Sequence, residues 1–149
     1  MNETLETWVR YGWLTRHETS RQEILALLAV ADRDLTTAQL PDVPPDWRLN
    51  IAYNAALQSA AIALAAAGYR AEKESHHYRL LQSLAVTIGL DAASVDQLDK
   101  LRKKRNVSSY SRAGLTSERE AQGMIALAQK VREAVEHWLV ENRPDLLEA

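Results

Sequence analysis

Arg105 and Tyr110 are the residues of this chain best suited to chemistry on a phosphate. They lie in Lys100–Tyr110, which reads Lys-Leu-Arg-Lys-Lys-Arg-Asn-Val-Ser-Ser-Tyr; five of its first six residues are cationic. An arginine keeps its charge at any relevant pH and grips phosphate oxygens through two parallel N–H donors. Asn106, Ser109 and Tyr110 add neutral donors and acceptors directly after it. With Arg102 one turn before, they make a polar lip that would face a phosphate-bearing ligand. A plainer reading stays open beside this one. Cations near a helix C-terminus complement its dipole, by at most about 1 kcal/mol each. On a helix Lys100, Lys103 and Lys104 share one face and would then serve solvation.

Other residue patterns exclude more than they suggest. His76 and His77 are adjacent, so on a helix their rings point about 100° apart, whereas metal-binding pairs prefer positions i and i+4. His17 and His137 have no partner pattern, and no metal site is expected. Glycine signatures for phosphate or dinucleotide loops are absent, as is Gly-x-Ser-x-Gly, and no cofactor is expected. The chain has no cysteine, hence no disulfide and no thiolate metal site, which fits a cytoplasmic location. The acidic start, Met1–Glu6, lacks an apolar signal core. The longest low-polarity stretch, Ala60–Gly68, is short of the roughly 20 residues a membrane span needs, so no membrane association is expected. A net charge of -2 gives no global attraction to nucleic acid, so any such contact must come from a local patch.

The elements that must position this stretch read as helices. Phe is absent, Gly is scarce, and Ala and Leu abound. A first helix is expected over about Glu3–Trp13, with Trp8 and Trp13 as packing anchors or, alternatively, ligand platforms. A second starts at Thr19 or Ser20 through a capping box, Ser20 with Glu23. Its stripe is Ile24, Leu27, Leu28, Ala31, Leu35 and Ala38. Asp32, Arg33 and Asp34 interrupt it, as a solvated face or with Asp34 turned inward to hold an arginine of the basic stretch. Pro41, Pro44 and Pro45 end that helix. A third, alanine-rich helix over about Asp46–Ala67 ends at Gly68 as a left-handed cap; its small residues suit the centre of a bundle. Ala71–Ser75 reads as a polar loop. A fourth helix spans about His76–Ile88, capped by Ser75 and stopped by Gly89. A fifth begins after Asp91 and runs into the basic stretch. Ser108–Thr116 reads as a turn. A sixth starts with a second capping box, Ser117 with Glu120, and closes at Pro144. No strand pattern is visible. The expected fold is all-α: an antiparallel up-and-down bundle of four main helices with one or two short accessory helices. It is read as a single domain over residues 1–149, with its core at about 20–141 and an accessory helix in 1–19.

Four segments together resemble the HEPN superfamily. They are Arg33-Asp34-Leu35; Asn50-Ile51-Ala52-Tyr53-Asn54-Ala55-Ala56; Gly68-Tyr69-Arg70 followed by Ser75-His76-His77-Tyr78; and Leu101–Asn106 with Ser109-Tyr110, leading into Thr116-Ser117-Glu118. They run from about Ile24 to Leu139. The resemblance implies a helical bundle, commonly a homodimer. Catalytic members are metal-independent endoribonucleases of toxin–antitoxin, defence and RNA-processing systems. Their motif is an Arg followed after four to six residues by a His, and two copies meet across the dimer. Arg105 matches the arginine and Asn106 the polar residue after it. The histidine slot falls at Tyr110, Ser111 or Arg112, as in the branch of the superfamily that carries Tyr there.

The resemblance therefore implies RNA or nucleotide-phosphate binding, with weak metal-independent ribonuclease action as its catalytic form. Arg105 and Tyr110 would be the catalytic residues; Asn106, Arg102, Ser109 and Asp34 would be the binding ones. The alternatives are a non-catalytic dimeric interaction module and a partner or substrate of a nucleotidyltransferase-type antitoxin.

Overall fold

The computed structural model describes the backbone of residues 2–72, 76–111 and 116–148, and the side chains of 4–72, 76–104 and 116–148. Four long helices carry the fold: α2 (Arg21–Ala38), α3 (Pro45–Ala66), α5 (Ala92–Ser111) and α6 (Glu118–Asn142). Among the described residues there are two shorter α-helices, α1 (Asn2–Arg10) and α4 (His76–Thr87), and a 3-10 turn at Pro144–Leu146. The all-α expectation, four main helices and two accessory ones, is met.

Local chemistry sets the ends of these helices. The Glu23 N–H donates to Ser20 Oγ at 3.1 Å and starts α2. The Glu23 carboxylate does not complete that box; it accepts from the Thr19 hydroxyl instead. At α6 both halves of the Ser117–Glu120 box are present. The Ser94 N–H donates to Asp91 Oδ2 at 3.0 Å, the cap expected for α5. Pro45 occupies the first turn of α3, where its missing N–H has no intrahelical partner to lose. Gly68 follows α3 with φ +104, a conformation that a Cβ disfavours.

α3 is the central helix. Ala52, Tyr53, Ala56, Ala60, Ile62 and Ala63 are wholly buried on several of its faces, because α2, α4 and α6 pack around it. Among the described residues α3 is the one helix long and apolar enough to cross a membrane, and 72% of its most apolar window is buried within the fold. Buried side chains from α1 through α6 join in one contiguous cluster. Each fully buried Leu there, such as Leu81 or Leu98, contributes about 1.5–3 kcal/mol.

Three expectations are corrected. The first helix ends at Arg10, not Trp13. The absence of strands does not hold: β1 (Leu14–Arg16) and β2 (Tyr69–Ala71) pair antiparallel, with Leu14 opposite Ala71 and Arg16 opposite Tyr69. The ladder is extended by His17 N–H donating to the Gly68 carbonyl at 2.8 Å and Glu72 N–H to that of Trp13 at 2.9 Å. It clamps the N-terminal segment onto the end of α3. Glu6 reinforces the clamp, accepting from the Tyr69 hydroxyl at 2.5 Å and from Arg16. Finally, α5 continues to Ser111, so 108–111 of the expected turn are helical, and 112–115 lie outside the described residues.

Candidate functional site

The basic stretch lies on the second half of α5. Val95 and Leu98 are buried and Leu101 packs partly against the core. Beyond Leu101 the only aliphatic residue before Ser111 is Val107. The cations at 102–104 lie against carboxylates. Arg102 Nε donates to Asp99 Oδ1 at 2.8 Å, Lys103 Nζ lies 3.4 Å from Asp99, and Lys104 Nζ lies 2.6 Å from Glu120 of α6. Burial pushes the Asp99 carboxyl upward, but Arg102 and Lys103 outweigh it and hold the group below its ordinary range. Glu120 is also held low, first by the Lys104 ammonium and then by the Ser117 N–H.

Three cations of the stretch are therefore compensated by carboxylates within the fold. The side chains of Arg105, Asn106, Ser109 and Tyr110 lie outside the described residues. Their backbone is helical. At about 100° per residue, positions 102, 105, 106, 109 and 110 fall within roughly 140° of one side of α5. The lip expected after a helix end is thus a helix face.

Asp34 is buried, 7% exposed, while its neighbours Asp32 and Arg33 are solvated. Its Oδ2 accepts from Asn54 Nδ2 of α3 at 2.6 Å, and its Oδ1 accepts from Arg33 Nε and Nη2 at 3.1 and 3.0 Å. Asp34 does turn inward. Among the described residues its arginine partner is Arg33, not Arg102, which is bound to Asp99; Arg105 is outside those residues. The other carboxylate, Asp32, receives two hydrogen bonds from Arg132 of α6.

A cavity of about 430 Å³ opens between α2, α3, α4 and β2, lined by His17, Glu23, Asn54, Gln58, Arg70, His76 and His77 over an apolar floor. His17 has a partner after all: its Nε2 lies 2.8 Å from Glu23 Oε1. The Thr19 hydroxyl donates to the same carboxylate at 2.5 Å. That hydroxyl is the main cause of the low Glu23 pKa, with His17 adding to it against the opposing effect of burial. The spacing of six, across a helix start, is not one that sequence periodicity exposes. His76 and His77 have ring centroids 5.6 Å apart. The Tyr53 hydroxyl lies 3.4 Å from His77 Nδ1. Among the described residues no three His, Cys, Asp or Glu side chains are grouped closely enough to hold a metal ion.

Residues 24–138 match the family model of the HEPN domain. No curated protein and no solved structure matches the chain. The match spans α2 through most of α6, including Asp34, Asn54, the first turn of α4 and the whole of α5. The chain belongs to the HEPN-domain family.

Proposed function

We propose that this HEPN domain binds RNA through phosphate contacts on the polar side of α5, as a homodimer. Arg105, with Arg102, would receive the phosphate, and Asn106, Ser109 and Tyr110 would complete its hydrogen bonds. One observation carries the reading: α5 runs unbroken through the family's arginine position to Ser111. Five polar positions therefore recur on one side of a helix that has little apolar surface to bury. Lys103 and Lys104 are engaged by carboxylates and are left out of the site, whereas Arg102 meets Asp99 through Nε and keeps its terminal N–H groups for a phosphate.

The catalytic form of this reading is a slow, metal-independent cleavage. The ribose 2′-hydroxyl attacks phosphorus and gives its proton to water, the bond to the 5′-oxygen breaks to leave a 2′,3′-cyclic phosphate, and Tyr110 donates its proton to that leaving oxygen and regains one from solvent. Arg105 stabilises the charge that builds on the phosphorane. As an acid, Tyr110 needs no shift in pKa. As a base it would be poor, being about 0.1% ionised at pH 7 with a pKa near 10. General acid catalysis contributes roughly 10²–10⁴ in rate, so a weak nuclease fits and an efficient one does not. Incubation with mixed RNA in EDTA tests the reading. Binding and slow cleavage by the wild type, both reduced in Arg105→Ala, are expected. Identical behaviour of the two proteins, with neither binding RNA, would overturn it.

A further inference from the structure

We infer that the corner between α1 and β1, together with the first turn of α4, is a track on which single-stranded RNA lies before it reaches α5. This inference rests on the RNA-binding reading above. Five side chains form a continuous ladder of three aromatic rings and two guanidinium groups. The Tyr11 ring centroid lies 4.8 Å from that of Trp13. The Arg79 guanidinium lies 3.4 Å from the Trp13 ring centre and 5.0 Å from that of Tyr78. The Arg102 guanidinium lies 5.4 Å from the other end of the ladder, Tyr78. Arg102 stands on the same side of α5 as Arg105. Tyr11 and Trp13 precede the segment matched to the family, so this end of the ladder is a feature of this chain rather than of the matched domain.

Packing explains part of the ladder and leaves part over. Trp8 and Trp13 meet edge to face at 6.0 Å, and Trp8 packs on the core, as anchors do. Tyr11, by contrast, is 63% exposed, and Tyr78 also offers ring surface to solvent. Arg79 is the more telling residue. Among the described residues its guanidinium has no hydrogen-bond acceptor and no carboxylate, and its Nε is buried. Other half-buried or buried arginines are satisfied: Arg48 by Glu118, Arg102 by Asp99, Arg132 by Asp32. A guanidinium laid on an aromatic ring still directs its N–H groups outward in its own plane, where a phosphate can take two of them. Exposed rings on either side of a phosphate-seeking arginine suit a strand whose bases are unstacked. Such bases lie on aromatic faces while the backbone meets the cations. A duplex, with its bases already stacked inward, cannot use the rings.

Fluorescence anisotropy of a labelled twelve-residue oligouridylate in EDTA tests the track, with a melting curve for each variant. Tyr11→Ala and Tyr78→Ala should each weaken binding about 5- to 150-fold, the range of one base–aromatic stack. Arg79→Lys, which keeps the charge and loses the planar fork, should weaken it as well. A duplex RNA of equal length should bind less tightly than the single strand. If the two tyrosine variants bind as the wild type does while Arg105→Ala binds weakly, the track is wrong and the phosphate site stands. Equal affinity for duplex and single strand also overturns the track. If the wild type binds no RNA, both readings fall together.

Discussion

Arg48 ties three helix ends together, and its replacement by Met gives a stability change that can be worked out beforehand. Arg48 is 4% exposed. Its Nε donates to the Ala38 carbonyl at the end of α2 at 2.7 Å, and its Nη1 donates to both oxygens of Glu118 in the first turn of α6, each at 2.7 Å. Glu118 itself is well solvated, with 59% of its side chain exposed. Breaking a buried ion pair ordinarily costs about 3–5 kcal/mol because a charge is left buried and alone. That penalty does not arise here, since Glu118 returns to water when Arg48 is removed. What remains is the Ala38 carbonyl, deprived of a charged donor, at about 1.5–3 kcal/mol. Met refills most of the aliphatic volume. Arg48→Met should therefore lower stability by about 1.5–3 kcal/mol, with a fall in Tm of roughly 3–12 °C for a chain of this size. Urea unfolding should show a lower midpoint at an unchanged slope. A midpoint equal to that of the wild type, or a loss well above the range, would refute the reasoning.

Three further outcomes follow from the helix ends. Ser117→Ala removes the hydroxyl half of the α6 capping box, leaving the N–H of residue 117 to donate to Glu120, and should cost about 1 kcal/mol, read as a Tm lower by roughly 2–4 °C. Gly68→Ala forces a Cβ onto a residue at φ +104 and should cost about 1–2 kcal/mol by urea unfolding, although nothing crowds the site. Asp91 has its pKa lowered to about 2, by Lys130 first and then by Ser94. Its folded pKa lies below the unfolded value near 3.9, so its contribution is full above about pH 4 and is lost as the pH falls through about 2. An NMR titration should place its midpoint near 2, and Asp91→Asn should flatten that part of the acid unfolding curve; a midpoint near 3.9 would contradict the assignment.

Most of the helical frame was legible because its signals are local. The Ser20 cap of α2, the capping box of α6, the Asp91 cap and Gly68 each act within a few residues of the helix end they mark. The stripes of α2 and α6 repeat often enough to show which face is buried. Features made by contact between distant segments were not legible. β1 and β2 are three residues each, too short for alternation to show, and Leu14 meets Ala71 only once α1 and α3 are placed. Arg48 looks like any solvated cation until Ala38 and Glu118 converge on it. An inward Asp34 was one of two readings of its segment, but its α3 partner Asn54 belonged to neither, because the pairing depends on how α2 and α3 are aligned. The ladder from Tyr11 to Arg102 draws on α1, β1, α4 and α5, and no sequence spacing connects those residues. The basic stretch was visible as charge; Asp99 reaches Arg102 and Lys103 within α5 itself, whereas the pairing of Lys104 with Glu120 required the packing of α5 on α6.

The affinity of Arg105→Ala for single-stranded RNA, measured beside its melting temperature, tests the central claim most directly. Losing a charged hydrogen bond to phosphate should weaken binding about 10- to 150-fold. The melting temperature should stay close to that of the wild type, since the arginine is placed at a phosphate site rather than in the core. Unchanged affinity, with or without a fall in melting temperature, would contradict the account and make Arg105 a residue that serves the fold.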